Sequence, residues 1–313
     1  MATQTSARGA SGSGPSSSWY WRNQRRLAPY LFISPFFILF IVFGLYPILY
    51  SFWLSFYKGF GFEEKTFFGL GNYAYLLGDE RYIKSVRNTT QYALGSLFIL
   101  SPLALLLALA INSRYVKWKG LYKTAFFFPV ITSAVVITII FSRVLDKQYG
   151  ILNLGLDYLK PGAGFGPFGW LEDPQIVMIS FIVMGIWTYT GINMLYWLAG
   201  LTGISKDFYE AAEVDGANKV QSFRFITLPL LRPVTLFVAI QAIVGSYGLF
   251  AQPLLLTEGG PSDASLTVTL YLYQQGFVYF NVGYASAIAY SMVLLLLVLS
   301  IINIVVFQGY NTD

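Results

Sequence analysis

The chain has 313 residues, of which 56% are hydrophobic, 18% aromatic and only 11% charged, with a net charge of +5. A soluble domain carries about 25% charged residues, so this chain lacks the charge to cover a water-facing surface, and lipid is the simplest covering. Cysteine and histidine are both absent, which excludes disulfides, thiolate metal sites, cysteine nucleophiles and histidine-dependent triads.

Residues 1–18 are rich in Ser, Gly, Thr and Ala and cannot bury a core, so a disordered cytoplasmic tail is expected up to residue 26. Arg22, Arg25 and Arg26 then precede a charge-free run at 27–57. A cleaved signal peptide would show that charge order, but its apolar region is only about 7–15 residues long. A retained membrane helix is favoured, with its outer loop completing a segment at 27–86. The transmembrane core follows at 87–308, and 309–313 form a short tail.

A spanning helix needs about 20 mostly apolar residues. Charge-free runs place spans near 30–56, 90–111, 123–141, 175–199, 235–256 and 285–307. The stretch 266–279 carries or adjoins Thr267, Thr269, Gln274, Gln275 and Asn281, which lipid disfavours. It reads as interfacial or re-entrant, with a seventh span as the minority reading.

Basic residues concentrate in cytoplasmic segments. Here they gather before the first span (Arg8, Arg22, Arg25, Arg26), after the second (Arg114, Lys117, Lys119, Lys123) and after the fourth (Lys206, Lys219, Arg224, Arg232). The last loop, with Glu258 and Asp263, has no base. Other outer segments do carry bases, among them Lys58, Arg81 and Lys147, so the bias is moderate. The consistent solution is an all-α membrane protein of six spans with both termini cytoplasmic.

Some short motifs fail on context. Gly164, Gly166 and Gly169 have dinucleotide-fingerprint spacing, but Pro161, Pro167 and Trp170 surround them where a strand and a helix are required. Lys123-Thr124 resembles the end of a phosphate loop, yet Tyr122 stands where glycine is needed. Asn88-Thr89-Thr90 spells a glycosylation acceptor, a pattern that arises often by chance. No basic stripe with interleaved aromatics marks a nucleic-acid partner. No catalytic or metal-binding residue is assigned.

The loop at 204–229 carries the strongest signal. Ser205 is a good N-cap, acids follow in the early turns, and Gly216 is a natural helix stop. A helix of about nine residues, ~13 Å long, is expected. A second short helix fits 218–226. Glu210 and Glu213 share a face, and Ala211 and Ala212 keep the helix thin. Such a helix either seats in a basic groove of another protein or lies as an amphipathic linker on the membrane.

The order Glu210-Ala211-Ala212, Asp215-Gly216-Ala217, Leu228-Pro229 resembles the EAA motif of binding-protein-dependent ABC importer permeases. Ser34-Pro35 and Tyr46-Pro47 look like the first span of carbohydrate-type permeases and Asn72-Tyr73 like the segment entering the second, while Thr257-Glu258-Gly259-Gly260-Pro261 and Gly283-Tyr284-Ala285-Ser286-Ala287 resemble the first permease of a pair. The resemblance covers about 28–307. It implies a type I ABC importer permease bundle in a bacterial or archaeal inner membrane. It also implies a second homologous permease, a pair of ATPase subunits and an extracytoplasmic solute-binding protein. ATP and Mg would be held by the ATPases and no cofactor by this chain. Glu210, Ala211, Ala212, Asp215 and Gly216 would be the residues that couple to the ATPase.

A sugar cavity should offer amides, hydroxyls and rings in an apolar wall. The span polar residues Asn193, Gln241, Ser246 and Tyr247 are the leading candidates, with Thr188 and Tyr189 behind them. For each, a hydrogen bond between helices of the bundle is the competing reading. Gly185, Gly191, Gly245 and Gly248 read as sites of close helix approach or local unwinding. A stand-alone secondary transporter is the rival class; it predicts intramembrane charges, and the charge-free runs hold none. A related permease for a non-sugar solute is the nearer alternative.

Overall fold

The computed structural model describes residues 19–61, 64–113, 115–159 and 167–308. The sequence readings for 1–18, 309–313, Gly164 and Gly166 lie outside the described residues. The chain divides into two compact units, the first ending at Trp53 and the second beginning at Leu54.

Helix α1 runs through Trp19–Phe40, a π-helical turn at Ile41–Leu45 and Tyr46–Leu54. Pro35 has no N–H to give the Leu31 carbonyl; the Ser34 hydroxyl donates to that oxygen instead, at 2.8 Å. Serine before proline thus keeps a backbone acceptor satisfied where no water is available.

The second unit opens with a small antiparallel pair, β1 (Tyr57–Lys58) and β2 (Thr66–Phe67). Helix α2 (Gly71–Gly78) leads into α3 (Glu80–Asn112), which contains a π turn at Ser96–Leu100. Next come α4 (Lys119–Ile131), α5 (Ala134–Val144) and α6 (Ile151–Leu159). The long α7 (Val177–Thr202) ends at the charged loop, which holds α8 (Lys206–Val214) and α9 (Lys219–Ser222). The chain returns through α10 (Arg232–Tyr247) and α11 (Ala251–Leu256), turns at α12 (Val268–Tyr273) and closes with α13 (Val282–Gln308).

Five of these helices or continuous helical stretches are long and apolar enough to cross a membrane, or six if α4 and α5 count as one broken span. The span expected at 123–141 is built from two helices, α4 and α5, which meet at 95°. Pro129 removes a donor near the end of α4, and Thr132 and Ser133 take extended backbone, ψ 140° and 136°. Segment 266–279 is not a span. It is α12 with a five-residue π turn, Gln274–Val278, far short of a bilayer's thickness. Its two threonines are consumed as staples. Thr267 donates to the Leu249 carbonyl at 2.8 Å and Thr269 to the Tyr247 carbonyl at 2.5 Å.

The packing defines two ends. At the end carrying the charged loop, Ala104 and Ala108 of α3 are fully buried against Met194, Trp197 and Leu201 of α7. Two alanines four apart make a shallow groove, so α7 approaches closely. At the opposite end, a cap joins Leu76, Leu266, Leu270, Tyr271, Tyr284 and Ile288 in one cluster. Asn88 is a buried clamp there: its amide donates to the Asp263 and Leu266 carbonyls at 2.8 and 3.0 Å. Arg81 forks onto Asp263, with Nε–Oδ2 3.1 Å and Nη2–Oδ1 2.8 Å.

Asp79 organises the cap. It accepts the Arg81 and Tyr82 amides as the N-cap of α3, the Tyr271 hydroxyl at 2.6 Å and the Tyr284 hydroxyl. Partial burial pushes its carboxyl up, but these donors outweigh burial and hold it below the ordinary value of 3.8. A carboxyl depressed in the folded state stabilises above its unfolded pKa and loses that contribution as pH falls through the folded value. The cap should therefore be insensitive to pH from neutrality to about 5 and loosen only below about 4. Asp79→Ala removes the cap residue and orphans two buried hydroxyls, for a loss of about 2 kcal/mol. A thermal melt in detergent, with the acid limb compared between wild type and variant, checks both statements.

Candidate functional site

At the loop end, Ser205 caps α8 through its hydroxyl, which accepts the Asp207 amide at 3.3 Å. The helix stops at Gly216, whose φ of +80° only glycine adopts without strain. Gly216 N–H donates to the Glu213 carbonyl at 3.1 Å and Ala217 N–H to the Ala212 carbonyl at 2.8 Å. This is a Schellman stop, and it turns the chain into the next segment. Asn218 and Gln221 then form a reciprocal capping box at the start of α9. The Tyr209 hydroxyl meets Thr227 Oγ1 at 3.0 Å and ties α8 to the returning strand of chain.

Glu210, Ala211, Asp215 and Gly216 are exposed, and Ala212 is half-buried. Among the described residues, no ion pair engages Glu210, Glu213 or Asp215. Around them Phe208, Val214, Val220 and Phe225 are exposed, Val214 by 89%. An acidic edge flanked by bare apolar side chains is a surface made for contact.

Between the two ends lies a cavity of about 230 Å³. It is lined by Tyr92 and Ser96 of α3, Tyr189 and Asn193 of α7, and Gln241 and Ser246 of α10. The Asn193 amide donates to the Tyr189 carbonyl at 2.9 Å and the Ser246 hydroxyl to the Ala242 carbonyl at 2.6 Å. Those bonds leave Asn193 its carbonyl and Ser246 its lone pairs. Gln241 is exposed in the chain. No charged side chain contributes to the lining.

Asn193, Gln241 and Ser246, singled out in the sequence, come together here. Tyr247 does not join them. It is 1% exposed in the cap cluster, with its hydroxyl 2.8 Å from Thr90 Oγ1. Thr188 is buried and donates to the Met184 carbonyl of its own helix at 2.8 Å. Sequence reasoning missed Tyr92 and Ser96. Their signal was four-residue spacing on one helix face, ending where the π turn widens α3.

A bundle of apolar spans around an uncharged polar cavity, with an exposed charged loop, defines a multi-pass membrane transport subunit. Residues 84–310 match the family described as binding-protein-dependent transport system inner membrane component, and the chain belongs to that family. It is 38% identical to the arabinooligosaccharides transport system permease protein AraP of Bacillus subtilis (strain 168), over 91% of this chain and 90% of AraP. It is 36% identical to the lactose transport system permease protein LacF of Rhizobium radiobacter, over 88% of this chain and 92% of LacF. In fold it is similar to a chain of a bacterial ABC transporter involved in import of the acidic polysaccharide alginate. That match has a TM-score of 0.78 at 22% identity, covering 93% of this chain and 98% of the other.

Proposed function

We propose that this chain is one permease half of an ATP-driven sugar importer. The carrying observation is the mid-span cavity: rings, hydroxyls and amides without charge, set among spans that are themselves free of charge. Such a wall suits a neutral, hydroxyl-rich solute. The arabinooligosaccharide and lactose permeases to which the chain is similar favour the same class.

In this reading a second homologous permease closes the cavity from the other side. A pair of ATPase subunits binds ATP and Mg and receives α8 in a cleft, with Glu210 facing a basic side chain. The charged loop and both termini are then cytoplasmic, as the basic residues of 205–232 favour. An extracytoplasmic binding protein delivers sugar at the cap end. ATP binding and hydrolysis favour different states of the paired bundles, and the cavity opens to each side in turn.

Uptake of labelled arabinotriose, lactose and maltose by cells carrying the complete transporter tests this. Gln241→Ala should raise the KM for the transported sugar about 2–10-fold, the worth of one hydrogen bond. Transport of none of these sugars, with a non-sugar solute carried instead, would refute the sugar reading.

A further inference from the structure

The cap end holds a second cavity of about 310 Å³, built from different elements. Phe60 and Phe68 come from the segment around β1 and β2, Tyr75 from α2, and Gln275 and Asn281 from the end of α12 and the turn after it. The rings are accessible: Phe60 is 47% exposed, Phe68 45% and Tyr75 64%. Tyr75 meets Tyr284 edge to face with centroids 5.2 Å apart, and the Lys58 ammonium sits 5.4 Å from the Phe68 ring centre.

The polar groups have spare capacity. Asn72 spends its amide hydrogens on the Ser55 and Tyr57 carbonyls, at 2.8 and 2.9 Å, so it offers the cavity an acceptor. The side-chain amides of Gln275 and Asn281 have no hydrogen-bond partner among the described residues. Among the described residues, no carboxylate lines the cavity. Its floor is fixed in advance, because Asp79 holds the hydroxyls of both Tyr271 and Tyr284.

Flat rings take the C–H face of a sugar, while amides and an ammonium take its hydroxyls. The absence of carboxylates disfavours cations, and the volume is at the low end for an organic ligand. We propose that this cavity is an outer saccharide subsite that holds a terminal sugar unit of an oligosaccharide at the cap end. Phe60 and Tyr75 stack on the ring, and Lys58, Gln275 and Asn281 bind its hydroxyls. The proposal rests on the sugar-importer reading, and it adds a site distinct from the mid-span cavity. Pre-organised walls spare the ligand the cost of ordering them.

The test is saturation-transfer NMR on the full chain in lipid nanodiscs, titrated with arabinotriose, lactose and maltose. Gln275→Ala and Phe60→Ala should weaken binding at least about tenfold, about 1.4 kcal/mol, while Phe60→Tyr retains it. Unchanged melting curves of the variants show that folding is intact. Wild-type binding by both Gln275→Ala and Phe60→Ala overturns the outer subsite and leaves the sugar reading standing. Failure of every probe to bind the wild-type chain overturns the subsite too. Sugar uptake by cells then decides the importer reading separately.

Discussion

Replacing Gly216 with leucine should cut sugar uptake about 5–30-fold while leaving the bundle folded. An L-residue held in left-handed backbone costs roughly 1–2 kcal/mol, and Gly216 sits at φ +80°. That cost is a factor of about 5–30 in the population of the loop as it stands. Nothing lies within 4 Å of a Cβ built there, so the penalty is one of backbone conformation and not of collision. The residue is exposed and outside all three buried clusters, so melting temperature should change little. Asparagine tolerates left-handed backbone better than other L-residues; Gly216→Asn should keep most of the uptake. Glu210→Lys reverses the charge of the acidic edge without touching the stop. It should uncouple ATP hydrolysis from uptake, or prevent ATPase binding, at normal melting temperature. Wild-type transport by Gly216→Leu would remove α8 as the coupling element.

Gly191→Ala should destabilise the fold itself. A Cβ at Gly191 would land on the Phe126 carbonyl oxygen of α4 and stand 2.9 Å from the Phe127 nitrogen. Both obstacles are backbone, which cannot rotate away, so α4 and α7 must separate. Overpacking of this kind costs about 1–3 kcal/mol, and the forced gap exposes polar backbone where the membrane supplies no water. The expected readout is a melting temperature lower by several degrees in detergent and reduced yield in the membrane. Gly120→Ala, also on α4 but with open space around its Cβ, is the matched control and should be neutral. Equal melting of Gly191→Ala and wild type would refute the close approach.

Of the four span glycines noted in the sequence, Gly191 and Gly185 are sites of contact, the latter against the Tyr92 hydroxyl. Gly245 faces open space at the mid-span cavity, and Gly248 ends α10. Composition could not sort them, because a glycine's role depends on what stands opposite. The same limit hid the cavity lining. Helix α7 is apolar on every face, so periodicity does not say which side meets α3 and which meets lipid. Asn193 and Gln241 were legible as polar groups in spans; their meeting with Tyr92, far away in the chain, was not.

What the sequence determined by itself is local in its physics. Runs without charge set the membrane segments, because a charge in hydrocarbon is costly wherever it falls. Ser205, Gly216 and Asn218 set the ends of the loop helices, because caps and stops act within one turn. Only the tertiary structure decided the rest. It bent the third span where Thr132 and Ser133 extend, withdrew Tyr247 into the cap, and made Asn88 a clamp on the Asp263 loop. It also made the short α12 a packed cap in place of a span. Each of these depends on partners more than a hundred residues away or on the local turn's surroundings, and side-chain contacts at that range leave no periodic trace in the chain.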